Sequence, residues 1–150
     1  MNRDTENLHH VVRDGVTRAV AAIGLTGVAL IHLLDAPSKF SETPYMGWMY
    51  VGLMIGSLAI AFALVRGSWS PAWGAALLLP ASAIVGFVLS RTTGLPQAHG
   101  DVGNWKEPLG MASLLVEGSL IALSGSVLLE RVLGLAPARA RLESVGSVTA

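Results

Sequence analysis

The chain has no cysteine, little charge and few aromatics. It has no cysteine at all, which excludes disulfides, cysteine-ligated zinc, iron–sulfur clusters and thiol catalysis and leaves the redox compartment undetermined. Charged residues make up 13% of the sequence, against about 25% in typical soluble domains. The formal net charge is zero, so no basic excess points to a nucleic-acid partner. No P-loop, dinucleotide fingerprint or nucleophile elbow is readable, and neither is an internal repeat or a low-complexity run. At 150 residues the chain is long enough for one domain.

What it does have is apolar length. Apolar residues reach 52%, and 17 residues are glycine, which suits membrane helices that pack closely through small side chains. Four apolar runs lie between charges, at about 19–34, 45–65, 71–90 and 108–129. The first is short but Arg18 can snorkel. Ser70-Pro71 gives the third a cap and a proline in its first turn, and Pro80 is expected to kink it. Glu107-Pro108 opens the fourth, with a carboxylate at the positive helix end. The first run ends in Leu34-Asp35-Ala36-Pro37, which is not a small-x-small cleavage site, so it does not read as a signal peptide.

The expected fold is therefore all-α: a polytopic membrane four-helix bundle at residues 19–134, preceded by a polar, partly helical arm (1–18) and followed by a flexible tail (135–150). Four spans put both termini on one side. Arg3, Arg13, Arg18, Arg66, Arg131, Arg139 and Arg141 fall there, with Lys39, Arg91 and Lys106 opposite. That asymmetry predicts cytoplasmic termini in the inner (plasma) membrane. Two loops, Asp35–Pro44 and Arg91–Glu107, lie on the outer side.

Glu117 is the most informative residue. It stands alone in the fourth run, roughly 14 Å in from Pro108 at 1.5 Å per residue, close to the expected midplane. A carboxylate there costs about 2.5–3.5 kcal/mol on insertion scales, so it is expected to face a partner or a wet cavity. Its helix face reads Gly110, Ser113, Glu117, Ser124; the third run has Ser82, Gly86, Ser90; the second has Gly52 and Gly56. These small, polar stripes suit helix interfaces. His32 and Asp35, at spacing i, i+3, share a face at the outer end of the first run, and Glu42, Arg91, His99, Asp101 and Glu107 lie in the outer loops.

The cluster admits several readings. In a structural one, Glu117 is neutral and hydrogen-bonds Ser82, Ser113 or a backbone carbonyl, which fixes how the helices dock. In a second, Glu117, His32, Asp35, Arg91, Ser82 and Ser113 form a ligand or proton site. In a third, His32, Asp35, His99, Asp101 and Glu117 hold a divalent metal, whose imidazole and carboxylate donors suit Zn, Mn or Fe. A di-iron bundle site would want paired Glu-x-x-His motifs, and one His-x-x-Asp with no second copy is a weak match. Met46, Met49 and Met54 read as packing before copper ligands. Haem is disfavoured, since only His32 lies inside a run. Trp48, Tyr50 and Trp105 outline a quinone or lipid pocket, although such residues commonly form interfacial belts. Arg91 is expected to pair with Asp101 or Glu107, and Lys39 with Glu42.

The stretch from Ser90 through Arg91-Thr92-Thr93-Gly94-Leu95-Pro96, then Gly103-Asn104-Trp105, Glu107-Pro108-Leu109-Gly110 and Glu117, resembles a pattern in small four-span bacterial membrane proteins. His32 with Asp35-Ala36-Pro37 and the Thr43-Pro44-Tyr45 turn is similar to the first half of that pattern. The likeness covers about residues 19–130 and implies a compact four-helix bundle, with no activity attached. Size and span count are also similar to DoxX-like membrane proteins, without a defining motif. The function expected is a polar pocket at the extracytoplasmic side that binds a small ligand, proton or metal ion, in an assembly with other membrane subunits or with itself. The alternatives are a metal- or quinone-dependent oxidoreductase component and a purely structural accessory subunit.

Overall fold

A computed structural model describes residues 2–67 and 71–134, with side chains from residue 8 onward. The C-terminal tail and Ser70, expected to cap the third run, lie outside the described residues. Four helices follow in order: α1 (Asn2–Glu42), α2 (Pro44–Arg66), α3 (Ala72–Thr92) and α4 (Pro108–Val132). A single 3₁₀ turn, His99–Asp101, sits between the last two. All four are long and apolar enough to cross a membrane. For α2, α3 and α4 the ends differ from the sequence expectation by at most three residues.

The first run differs most. The expected arm, first span and loop Asp35–Pro44 form one helix of 41 residues, about 60 Å long at 1.5 Å per residue. Asp35-Ala36-Pro37-Ser38 reads as a loop because proline withdraws a backbone donor. Packing holds it helical instead. Ala36 and Lys39 are buried, and Phe40 fills the space above Gly47, where a Cβ would come within 2.5 Å of its ring. The break comes at Thr43, in extended backbone with φ −150° and ψ 88°. Pro44 disfavours the helical region for the residue before it, yet suits the first turn of the next helix. One residue thus joins α1 to α2. At the other end of α2, Gly67 takes φ +64° and donates to the Ala63 and Leu64 carbonyls, a left-handed helix stop that glycine adopts without Cβ strain. The helix α3 runs on through Pro80, which is fully buried.

The helices alternate in direction. α1 packs most extensively on α2 and also on α4, α3 packs on α4, and the α2–α3 seam is the slightest of the neighbouring contacts. One half of the bundle is filled: Ala21, Leu25, Val28, Ile60, Leu64, Trp73 and Leu120 belong to a single buried cluster. Close approach of α1 to α4 there depends on Gly24, whose Cβ would stand 2.9 Å from Leu120. The outer surface of all four helices is apolar, with Leu30, Ile55, Phe62, Leu78, Val85 and Leu115 exposed.

Candidate functional site

The other half of the bundle is hollow. A cavity of about 350 Å³ is walled by all four helices and by the segment between α3 and α4. Its wall is mainly apolar, from residues such as Ile31, Met46, Leu53, Leu79, Phe87 and Leu114, with polar groups gathered at two levels.

The deeper level is the floor. Glu117 is 1% exposed, and its Oε1 accepts a hydrogen bond from Ser113 Oγ one turn earlier at 2.7 Å. Across from it on α1, His32 Nε2 stands 3.9 Å from the same oxygen. His32 Nδ1 lies 2.9 Å from the Val28 carbonyl. A carbonyl can only accept, so Nδ1 carries a proton and Nε2 is the nitrogen left for Glu117. Tyr50 from α2 meets the imidazole edge-on, with centroids 4.7 Å apart, and donates its hydroxyl to Asp35 Oδ2 at 3.1 Å. Asp35 Oδ1 accepts from Ser38 at 2.9 Å. The result is a chain of orienting contacts, Asp35 to Tyr50 to His32 to Glu117 to Ser113.

The second level is a roof of charge. Arg91, 4% exposed, contacts Asp101 Oδ1 through Nη1 at 2.9 Å and Glu107 through Nη2. Its guanidinium lies 4.8 Å over the Phe87 ring, and its Nε makes no hydrogen bond. Lys39 Nζ is 3.4 Å from both Asp101 and Glu42. Backbone contacts dock the 93–107 segment on the α1–α2 corner: Tyr45 donates to the Pro96 carbonyl at 2.7 Å and Thr43 to that of Gln97 at 3.4 Å. Buried pairs of this kind are strongly destabilised when one partner is removed, because the other is left uncompensated.

Seven of the eight residues singled out from the sequence line this one cavity: Glu117, His32, Asp35, Arg91, Ser82, Ser113 and Asp101. The eighth, His99, is exposed and faces Gly94. The metal set is corrected accordingly. Among the described residues no three His, Asp or Glu side chains are placed to hold a metal ion. Asp101 is taken up by Arg91 and Lys39, and Asp35 by Tyr50 and Ser38. Ser82 does not bond Glu117; its hydroxyl turns back to the Leu79 carbonyl at 2.7 Å, a usual local partner for serine within a helix.

Three further wall residues, Lys39, Tyr50 and Glu107, enter the sequence reading only as ion-pair partners or, for Tyr50, beside a quinone or lipid pocket. Lys39 follows His32 and Asp35 at i+7 and i+4, hence on the same helical face, a signal visible only once the helix is carried through Pro37. Tyr50 lies on the face of Met46 and Leu53, and Glu107 reads as a helix start and a partner for Arg91, a pair that the structure forms. The fold and site together describe a four-helix bundle of membrane-span length with a buried acid–imidazole pair in an internal cavity. No protein family, curated protein or solved structure matches the chain.

Proposed function

We propose that the protein is a four-span integral membrane protein of the plasma (inner) membrane with both termini in the cytoplasm, and that its cavity binds a small ligand in exchange for a proton shared by Glu117 and His32. The membrane part rests on the exposed apolar surface of every helix, far more than a soluble monomer presents. The orientation rests on the seven-to-three arginine and lysine asymmetry, and it puts the cavity in the outer half.

One observation carries the binding reading: the most deeply buried carboxylate of the described chain sits on the floor of a cavity that all four helices reach. An ionisable group at that depth is costly unless it has a partner or a task. Glu117 and His32 make a neutral couple in two ways, proton on the carboxyl or proton on Nε2. Either form avoids an isolated buried charge. A ligand that favours the ionised carboxylate beside neutral imidazole expels the shared proton to solution, which couples binding to pH. The charged roof and the Asp35–Tyr50 contact hold the pocket open and orient the imidazole; neither supplies a metal site.

Reporter fusions at each terminus test the topology, and activity of both on the cytoplasmic side is the expected result. Infrared difference spectroscopy of the protein in nanodiscs tests the couple. A protonated-carboxyl band that titrates, vanishes in Glu117→Gln and changes its midpoint in His32→Ala is expected. A spectrum unchanged by Glu117→Gln would leave a structural accessory subunit as the better account.

A further inference from the structure

From the charge balance of the wall and the place of its opening, we infer that the ligand is an amphiphilic organic cation that reaches Glu117 sideways from the lipid, between α2 and α3. This deepens the pocket reading above and depends on it.

Charge selects the class. Two cations, Lys39 and Arg91, and four carboxylates, Asp35, Asp101, Glu107 and Glu117, line the cavity. Both cations are committed at the roof, Arg91 to Asp101 and Glu107 and Lys39 to Asp101 and Glu42. His32 on α1 is the titratable group within 4 Å of Glu117; Asp35 on α1, Tyr50 on α2 and the engaged Arg91 on α3 line the same cavity. Serine and tyrosine hydroxyls are the only hydrogen-bond donors the described side chains give Glu117 and Asp35. An anion beside Glu117 would meet a carboxylate, and among the described residues both the lysine and the arginine cation of the cavity are already paired. An organic cation would meet compensating charge, with the tyrosine and imidazole rings beside it. As it binds, the proton of the Glu117–His32 couple leaves to solution, so cation and proton exchange and total charge is kept.

Geometry selects the route. The end of the cavity under the 93–107 segment is closed by side chains that are mostly buried, Lys39, Arg91, Asp101 and Glu107. Met49, 60% exposed, and Ser82, also exposed, belong both to the cavity wall and to the outer surface. They mark a rim. Ser82 is the middle residue of α3, so the rim lies at span depth and not at the aqueous face. Leu79 closes the seam below against Gly56, 3.4 Å from where a Cβ would be, whereas Gly86 has open space at that point. A ligand that comes through this gap must dissolve in lipid, and the apolar walls suit its tail.

The test uses the full chain in uncharged phosphatidylcholine nanodiscs, with octyltrimethylammonium and octyl sulfate as probes and calorimetry in two buffers of different ionisation enthalpy. Saturable binding of the cation is expected, tighter as pH rises, with release of about one proton per cation. Glu117→Gln should weaken it by about tenfold or more, while Glu117→Asp, which keeps the charge, retains it. Preference for octyl sulfate would overturn the ligand class and leave the pocket standing. Cation binding that is equal in wild type and Glu117→Gln, with a normal infrared titration of Glu117, would also overturn the class. Failure of both probes together with an absent titration would instead sink the pocket itself. Gly86→Leu, placed in open space at the rim, should block or slow the cation; unchanged uptake would overturn the lateral route.

Discussion

The two halves of this bundle are made from the same four helices, yet one is packed and the other is hollow. Around Leu25, Leu64, Trp73 and Leu120 the side chains meet across the axis. Around His32, Tyr50, Arg91 and Glu117 they line a cavity. The difference lies in where the polar atoms go. Among the described residues, the buried polar atoms of the filled half that lack a partner are Ser57 Oγ, Ser124 Oγ and Trp73 Nε1, all of them uncharged. The long charged side chains of the hollow half need partners, and they find them at the roof by tying helices to the 93–107 segment. Packing sets the distance between helices in one half, and ion pairs hold them apart in the other.

The largest expected effect is loss of the roof. Arg91→Leu leaves Asp101 and Glu107 without their common cation and should cost about 3–5 kcal/mol, read as thermal unfolding in nanodiscs; a loss under 1 kcal/mol, the scale of an exposed pair, would show that the ion pairs do not hold this half together. Next come matched truncations. Leu25→Ala in the filled half should cost about 2–5 kcal/mol, and Leu114→Ala in the cavity wall clearly less, because its side chain already borders empty space. Equal losses would erase the distinction. Overpacking sharpens it further. Gly24→Leu would collide with Leu120 and should cost about 1–3 kcal/mol, whereas Gly86→Ala, with nothing near its Cβ, should stay within about 0.5 kcal/mol. The smallest effect on stability is expected from Glu117→Gln, which keeps shape and hydrogen bonding to Ser113. Its stability should change by about 1 kcal/mol or less, and what disappears is the pH dependence.

Much of this was readable in the chain. The four apolar runs give the helices; α2 begins at Pro44 and ends at Arg66-Gly67, and α4 begins at Glu107-Pro108, as local chemistry requires. The stripe of Gly110, Ser113 and Glu117 points inward as its spacing implies. The stretch at Pro37 reads as a loop, because a proline between Asp35 and Ser38 is a loop signal whenever nothing packs on the segment. Phe40 against Gly47 is what packs on it, and that contact is between two helices. The same loop signal hides Lys39, whose alignment with His32 exists only along an unbroken helix. His99 failed the other way: its type suits a ligand, but its position in the connecting segment turns it out to solvent.

Composition and period decided that this chain makes long apolar helices and that one of them carries a lone acid in its middle, since both properties belong to a single segment and its 3.6-residue repeat. Which groups that acid meets depends on helix rotation and on the one-residue corner at Thr43. Tertiary structure alone brought His32 within 3.9 Å of Glu117 and gathered Arg91, Lys39, Asp101 and Glu107 above them. Those distances are set between elements far apart in sequence, where no local propensity reaches.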